Sequence, residues 1–146
     1  MEQADDLNLV NNGSVAEQFI GQQLHHLSPP YRTPQLYYWA REKKGAAAEV
    51  DYLWVDDHSR IVPIEVKSGK SGSLRSLQTI VQEKRMNLAV RFNSDKPSLL
   101  IENRQTPKGW AKYQLLSLPH YLVQQMPRLA ISANLCCAQS FFNADR

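Results

Sequence analysis

The chain has 146 residues, 42% of them hydrophobic and 21% charged, with a formal net charge of +3. That length suits one domain whose core needs no disulfide or metal staple, and 6 Gly and 8 Pro are too few for a disordered chain. No apolar run of ~18 residues exists for a membrane span, and mild basicity permits a polyanionic partner without requiring one.

The opening MEQADDLNLVNN is acidic and lacks an apolar stretch. It reads as a polar lead-in over 1–13, not as a signal peptide, and the expected compartment is the cytoplasm. Ser14 to Leu27 reads as a helix, with Ala16, Phe19, Ile20, Leu24 and Leu27 on one face. Ser14 and Glu17 fit a capping box, and Ser28-Pro29-Pro30 ends the helix. Strands are expected at 36–41, 49–55 and 61–67, the last two joined by the turn residues 56–60. KSGKSGS (67–73) reads as a flexible turn, and Ser73 caps a helix that turns Leu74, Leu77, Ile80 and Val81 inward. Further strands are expected at 88–92, 98–102 and 113–118, then a helical turn at 120–125. Residues 130–146 form a tail that either closes a sheet edge or packs on another copy of the chain, making a homodimer. The order gives an α/β domain over 14–129 with a mixed sheet.

The 49–67 hairpin carries the informative pattern. If Val55 faces Ile61, the same register sets Asp51 against Glu65 and Glu49 against Lys67. These four then share one face, while Val50, Tyr52, Trp54, Val62, Ile64 and Val66 share the core face. Directly opposed carboxylates repel. A divalent cation such as Mg²⁺ or Mn²⁺ would resolve that repulsion. The alternative is an ordinary solvated sheet face in which Glu49 pairs with Lys67.

Lys67, Lys70 and Arg75 cluster where a phosphate backbone could be met, or are simply solvated. Tyr37, Tyr38 and Trp39 either stack on bases or, more in keeping with a strand, fill the sheet core. The adjacent Cys136 and Cys137 lack zinc-site spacing, and the four histidines show no ligand spacing.

Asp51, followed after a hairpin by Glu65-Val66-Lys67, resembles the signature of the PD-(D/E)XK nuclease superfamily, whose fold is restriction-endonuclease-like. GSVAEQFI, YYWAR, AEVDYL and IVPIEVKSG together resemble the C-terminal domain of bacterial and archaeal AAA-type ATPases of unknown function, over roughly 13–129. The resemblance implies an αβββαβ core flanked by helices. It implies Mg²⁺-dependent endonuclease-type hydrolysis of DNA, with Glu17, Asp51 and Glu65 as metal ligands and Lys67 as catalytic lysine. Glu49 is then an extra acid, and Glu17 keeps its rival role as a helix cap. The N-terminal ATPase domain of that branch is absent from this chain, which is expected to be part of a larger protein. A second reading is a non-catalytic DNA- or protein-binding module of such an ATPase, its carboxylates paired off by Lys67 and Lys70.

Overall fold

The computed structural model describes residues 2–42, 47–70, 72–106 and 109–133, with side chains from residue 12 onward. The elements run α1 (Glu2–His25), β1 (Leu36–Arg41), β2 (Ala48–Val55), β3 (Ile61–Val66), α2 (Arg75–Lys84), β4 (Leu88–Asn93), β5 (Ser98–Thr106) and β6 (Gly109–Pro119). A 3₁₀ segment, His120–Gln125, leads into α3 at 126–133. The first six elements have the expected αβββαβ order, and the whole is a mixed α/β fold.

One six-stranded sheet has the order β1-β2-β3-β4-β6-β5. β3 pairs parallel with β4, β4 parallel with β6, and the other neighbours are antiparallel. α2 makes the crossover between the parallel strands β3 and β4, which a short turn could not do. Its face of Leu77, Ile80 and Val81 is buried against Val50, Ala89, Ala111, Tyr113 and Leu115. α1 covers the opposite face with Ile20 and Leu24, against Val62, Ile64, Val66, Val90 and Phe92. β3 is therefore central, and Val62 to Val66 is buried throughout. This overturns the solvated-face alternative.

Three local expectations also change. First, α1 is continuous through Asn11-Asn12-Gly13-Ser14, so the lead-in at 1–13 is helical from Glu2 onward. Pro29 is the first proline in the chain, and one Gly inside a helix costs only about 1 kcal/mol. Ser14 and Glu17 thus lie inside the helix, not at its start as the capping box expects. Phe19, expected inward, is 42% exposed.

Second, β2 carries a bulge. Tyr37 faces Leu53 but Trp39 faces Val50, so Tyr38 alone stands opposite Asp51 and Tyr52. The extra residue breaks the alternation. Val50 joins the core under α2, while Tyr52 and Trp54 pack under α1. Third, Tyr37 and Tyr38 are 56% and 72% exposed on the edge strand, and only Trp39 packs against a core. β5 and β6 are longer than expected and form a hairpin in continuous register. The expected tail lies outside the described residues beyond 133, as do Cys136 and Cys137.

Candidate acidic site at the parting of two central strands

β2 and β3 keep the expected register from Val55↔Ile61 to Tyr52↔Ile64, and the paired ladder stops there. The next positions are Asp51 and Glu65, so the acids stand where the strands part. The Lys67 N–H points to β4, donating to Phe92 O at 2.8 Å. By strand alternation the Val66 N–H points to β2, where a continued ladder would offer the carbonyl of Val50. It donates instead to Asp51 Oδ2 at 2.7 Å. The bulge places this side chain where a backbone acceptor would otherwise sit.

Glu65 is 5% exposed. Its Oε1 accepts from Lys67 Nζ at 2.6 Å, and its Oε2 is buried without a hydrogen-bond partner among the described residues. Lys67 therefore pairs with Glu65 rather than with Glu49 as the solvated-face alternative had it. The lysine's methylenes pass so close to Gly72 that a Cβ there would lie 2.8 Å from Lys67 Cδ.

Glu17 belongs to the same electrostatic group but stands on α1. Tyr52 ties the helix to β2 by donating from its hydroxyl to Glu17 O at 3.0 Å. The helix comes close enough there that a Cβ on Gly21 would collide with Tyr52 Oη. Glu49 is exposed, and its N–H donates to Ser76 Oγ at 3.3 Å.

All three principal acids titrate above the ordinary carboxylate value. Burial is the main cause for Asp51; the Val66 N–H and Lys67 oppose it, and Glu49 adds to it. Burial also dominates at Glu65, where Lys67 opposes the rise and the charges of Asp51 and Glu17 increase it. Glu17 is exposed at its surface, yet loss of solvent on its inner side raises it, with Asp51 and Glu49 adding and Lys67 offsetting part. Each of these acids thus releases its proton at a higher pH than a free carboxyl does, and a nearby cation opposes that rise.

The turn after β3 is tethered, against the expectation of a flexible one. Ser94 N–H donates to Gly69 O at 3.2 Å and Ser94 Oγ to Ser68 O at 2.5 Å. Asn93, fully buried, donates from Nδ2 to Lys70 O at 3.2 Å. His120 Nε2 lies 2.9 Å from Lys67 O. Sequence reasoning assigned His120, Asn93, Ser94 and Gly72 no role. Only Gly72, within SGKSGS, left a local signal; the others come from distant segments that the parallel strands bring alongside. Lys70 and Arg75 are exposed at this same end. Ser73 stands one residue before the N-cap Leu74, and its Oγ accepts from Arg75 N–H at 3.4 Å.

Among the described residues no three His, Cys, Asp or Glu side chains already stand together in metal-ligating positions. The donors at hand are two carboxylates, one with an orphaned oxygen. That suits Mg²⁺, which is commonly bound by one or two carboxylates and keeps several waters.

Also among the described residues, no helix is long and apolar enough to cross a membrane. No curated protein and no solved structure matches the chain. A family described as a domain of unknown function, DUF4143, matches residues 12–121, a span that holds every residue of the acidic site and extends just past His120. The match covers well over half of the chain, which thus belongs to the DUF4143 family.

Proposed function

We propose that this chain is a nuclease-like domain that hydrolyses phosphodiester bonds of DNA with a divalent cation. The observation that carries the reading is Glu65, a nearly fully buried carboxylate with one oxygen unpartnered among the described residues, beside a second raised carboxylate, Asp51. A hairpin built only for stability has no use for that pair. Asp51 and Glu65 would hold Mg²⁺ or Mn²⁺, with Glu17 as an outer acid on α1. When bound, the ion would supply Lewis-acid stabilisation and a water of lowered pKa.

The chain's own residues do the rest. The Val66 N–H fixes the Asp51 carboxylate. Glu65 and Gly72 hold the Lys67 ammonium at the site, where it offsets charge developing on a phosphate oxygen. Lys70 and Arg75 meet the flanking backbone phosphates. Domains of this family are commonly found at the C-terminus of AAA ATPases, so this activity would serve a larger ATPase.

A second reading has its own support. Lys67 already neutralises one oxygen of Glu65 at 2.6 Å, as it would in a non-catalytic DNA- or protein-binding module. Calorimetric titration of Mn²⁺ into the full chain separates the two. Binding that vanishes in Asp51→Asn supports the nuclease reading, and cleavage of plasmid DNA is then assayed against Glu65→Gln. No binding at millimolar Mn²⁺ sinks it in favour of the accessory module.

A further inference from the structure

β5 is an edge strand of nine residues, Ser98–Thr106, in unbroken register with β6. Leu99, Leu100 and Ile101 are 42%, 49% and 66% exposed along it. Long exposed apolar edges invite pairing, and proteins usually blunt them with bulges, prolines or lysines. β1, at the other edge, is shorter and lies against the bulge of β2. Ser98–Thr106 contains no proline or lysine.

Among the described residues no strand pairs with the outer side of β5, and the direction of its outward backbone groups follows from one bond. Gln114 N–H donates away from β5, to Asn87 O at 2.8 Å. Alternation then gives the N–H groups of Tyr113, Leu115 and Ser117 to β5 and leaves Leu99, Ile101, Asn103 and Gln105 with outward N–H and C=O groups. Glu102 and Arg104 flank Asn103 and pair with each other at 2.8 Å within the chain.

We propose that β5 pairs with β5 of a second copy, antiparallel about a two-fold axis at Asn103, joining the two sheets. In that register Asn103 faces its own copy and Ile101 faces Gln105, each pair exchanging both backbone bonds. Glu102 faces Arg104 of the other copy on both sides of the axis. A segment with acid and base two residues apart about the centre is self-complementary in this arrangement, since opposite charges directly across strands attract. The surface is therefore isologous, as a two-fold requires. It stands apart from the acidic site and does not depend on its activity.

Sedimentation equilibrium of the full chain tests this. Wild type is expected at twice the 16.7 kDa chain mass in the micromolar range. Asn103→Pro removes an outward N–H and should give a monomer with unchanged circular dichroism. Arg104→Glu should raise the dimer dissociation constant by roughly tenfold or more, at a cost near 1.4 kcal/mol per factor of ten. The swap Glu102→Arg/Arg104→Glu should restore it. A monomeric wild type across that range overturns the proposal, including one whose β5 amides resist exchange because the same chain covers them. So does a dimer mass that neither Asn103→Pro nor Arg104→Glu changes.

Discussion

Asp51 takes the Val66 N–H onto its carboxylate at 2.7 Å, one position past the last paired residues of β2 and β3. One side chain thus closes the ladder and presents an acid at its open end. The arrangement satisfies a buried donor, as buried amides require, and it holds a charge where burial opposes charge. Structure and candidate chemistry pull against each other at this residue, and that tension gives the first prediction.

Asp51→Asn should stabilise the metal-free protein near neutral pH. The folded-state pKa is raised, so the folded chain binds the proton more tightly than the unfolded chain. The stability contribution is fully present below the unfolded pKa and is lost as pH rises through the folded value. Asparagine keeps an acceptor for Val66 and carries no charge. Thermal unfolding in EDTA at pH 7–8 should show a melting temperature higher by about 2–5 °C. The gain should disappear below about pH 4, where aspartate is itself protonated. A lower melting temperature at pH 8 would show that the hydrogen bond outweighs desolvation.

Gly21→Ala should be destabilising, because its methyl group would run into Tyr52 at the crossing of α1 and β2. Overpacking of this kind costs roughly 1–3 kcal/mol. Tyr52→Phe removes the colliding oxygen but also the bond to Glu17 O. The double variant should therefore recover part of the loss, a positive coupling measurable by urea unfolding. Strictly additive effects would mean that α1 shifts freely over β2.

His120→Ala should loosen the turn after β3 without unfolding the domain. Its ring reaches Lys67 O from fifty-three residues away, and Ser94 and Asn93 hold the neighbouring carbonyls. Loss of one such bond costs about 1 kcal/mol. Amide exchange at Ser94, bonded to Gly69 O, should rise while exchange in α2 stays unchanged. His120→Gln, which retains a donor, should restore much of the protection.

The local pattern of the chain was enough to read the hairpin register from Val55↔Ile61 to Tyr52↔Ile64 (though not its end short of Asp51 and Glu65), the buried face of α2 and the placing of Asp51, Glu65 and Lys67 at one end. Each depends on spacing within a single segment. What escaped depends on neighbours. The bulge that separates Val50 from Tyr52 exists only in the pairing with β1, so strict alternation misassigned Val50. The start of α1 escaped because NNGS weakens a helix without forbidding one. The exposure of Tyr37 and Tyr38 follows from β1 being an edge, which no property of LYYWAR announces. His120 has no motif at all; parallel pairing of β4 with β6 delivers it to the turn.

Asp56 directly follows the strand that carries Asp51 and should behave oppositely. It is 6% exposed and accepts from His58 N–H and Arg60 N–H at 2.8 Å each and from Arg60 Nε at 2.6 Å. Burial pushes its carboxyl up, but the Arg60 and His58 donors and the Arg60 charge outweigh burial and hold it below the ordinary value. A depressed folded pKa contributes stability that is present above the unfolded pKa and is lost as pH falls through the folded value. Asp56→Ala leaves the two amides without their acceptor and should cost about 1–3 kcal/mol at pH 7. Asp56→Asn keeps some of the geometry without the charge and should cost less. In both variants the deficit against wild type should shrink once the pH drops below about 4, through the range where wild-type Asp56 protonates. Urea unfolding at pH 7, 5 and 3 measures this. A deficit that is constant with pH would assign the turn's stability to shape alone, and one that grows toward acid would reverse the sign argued for Asp56.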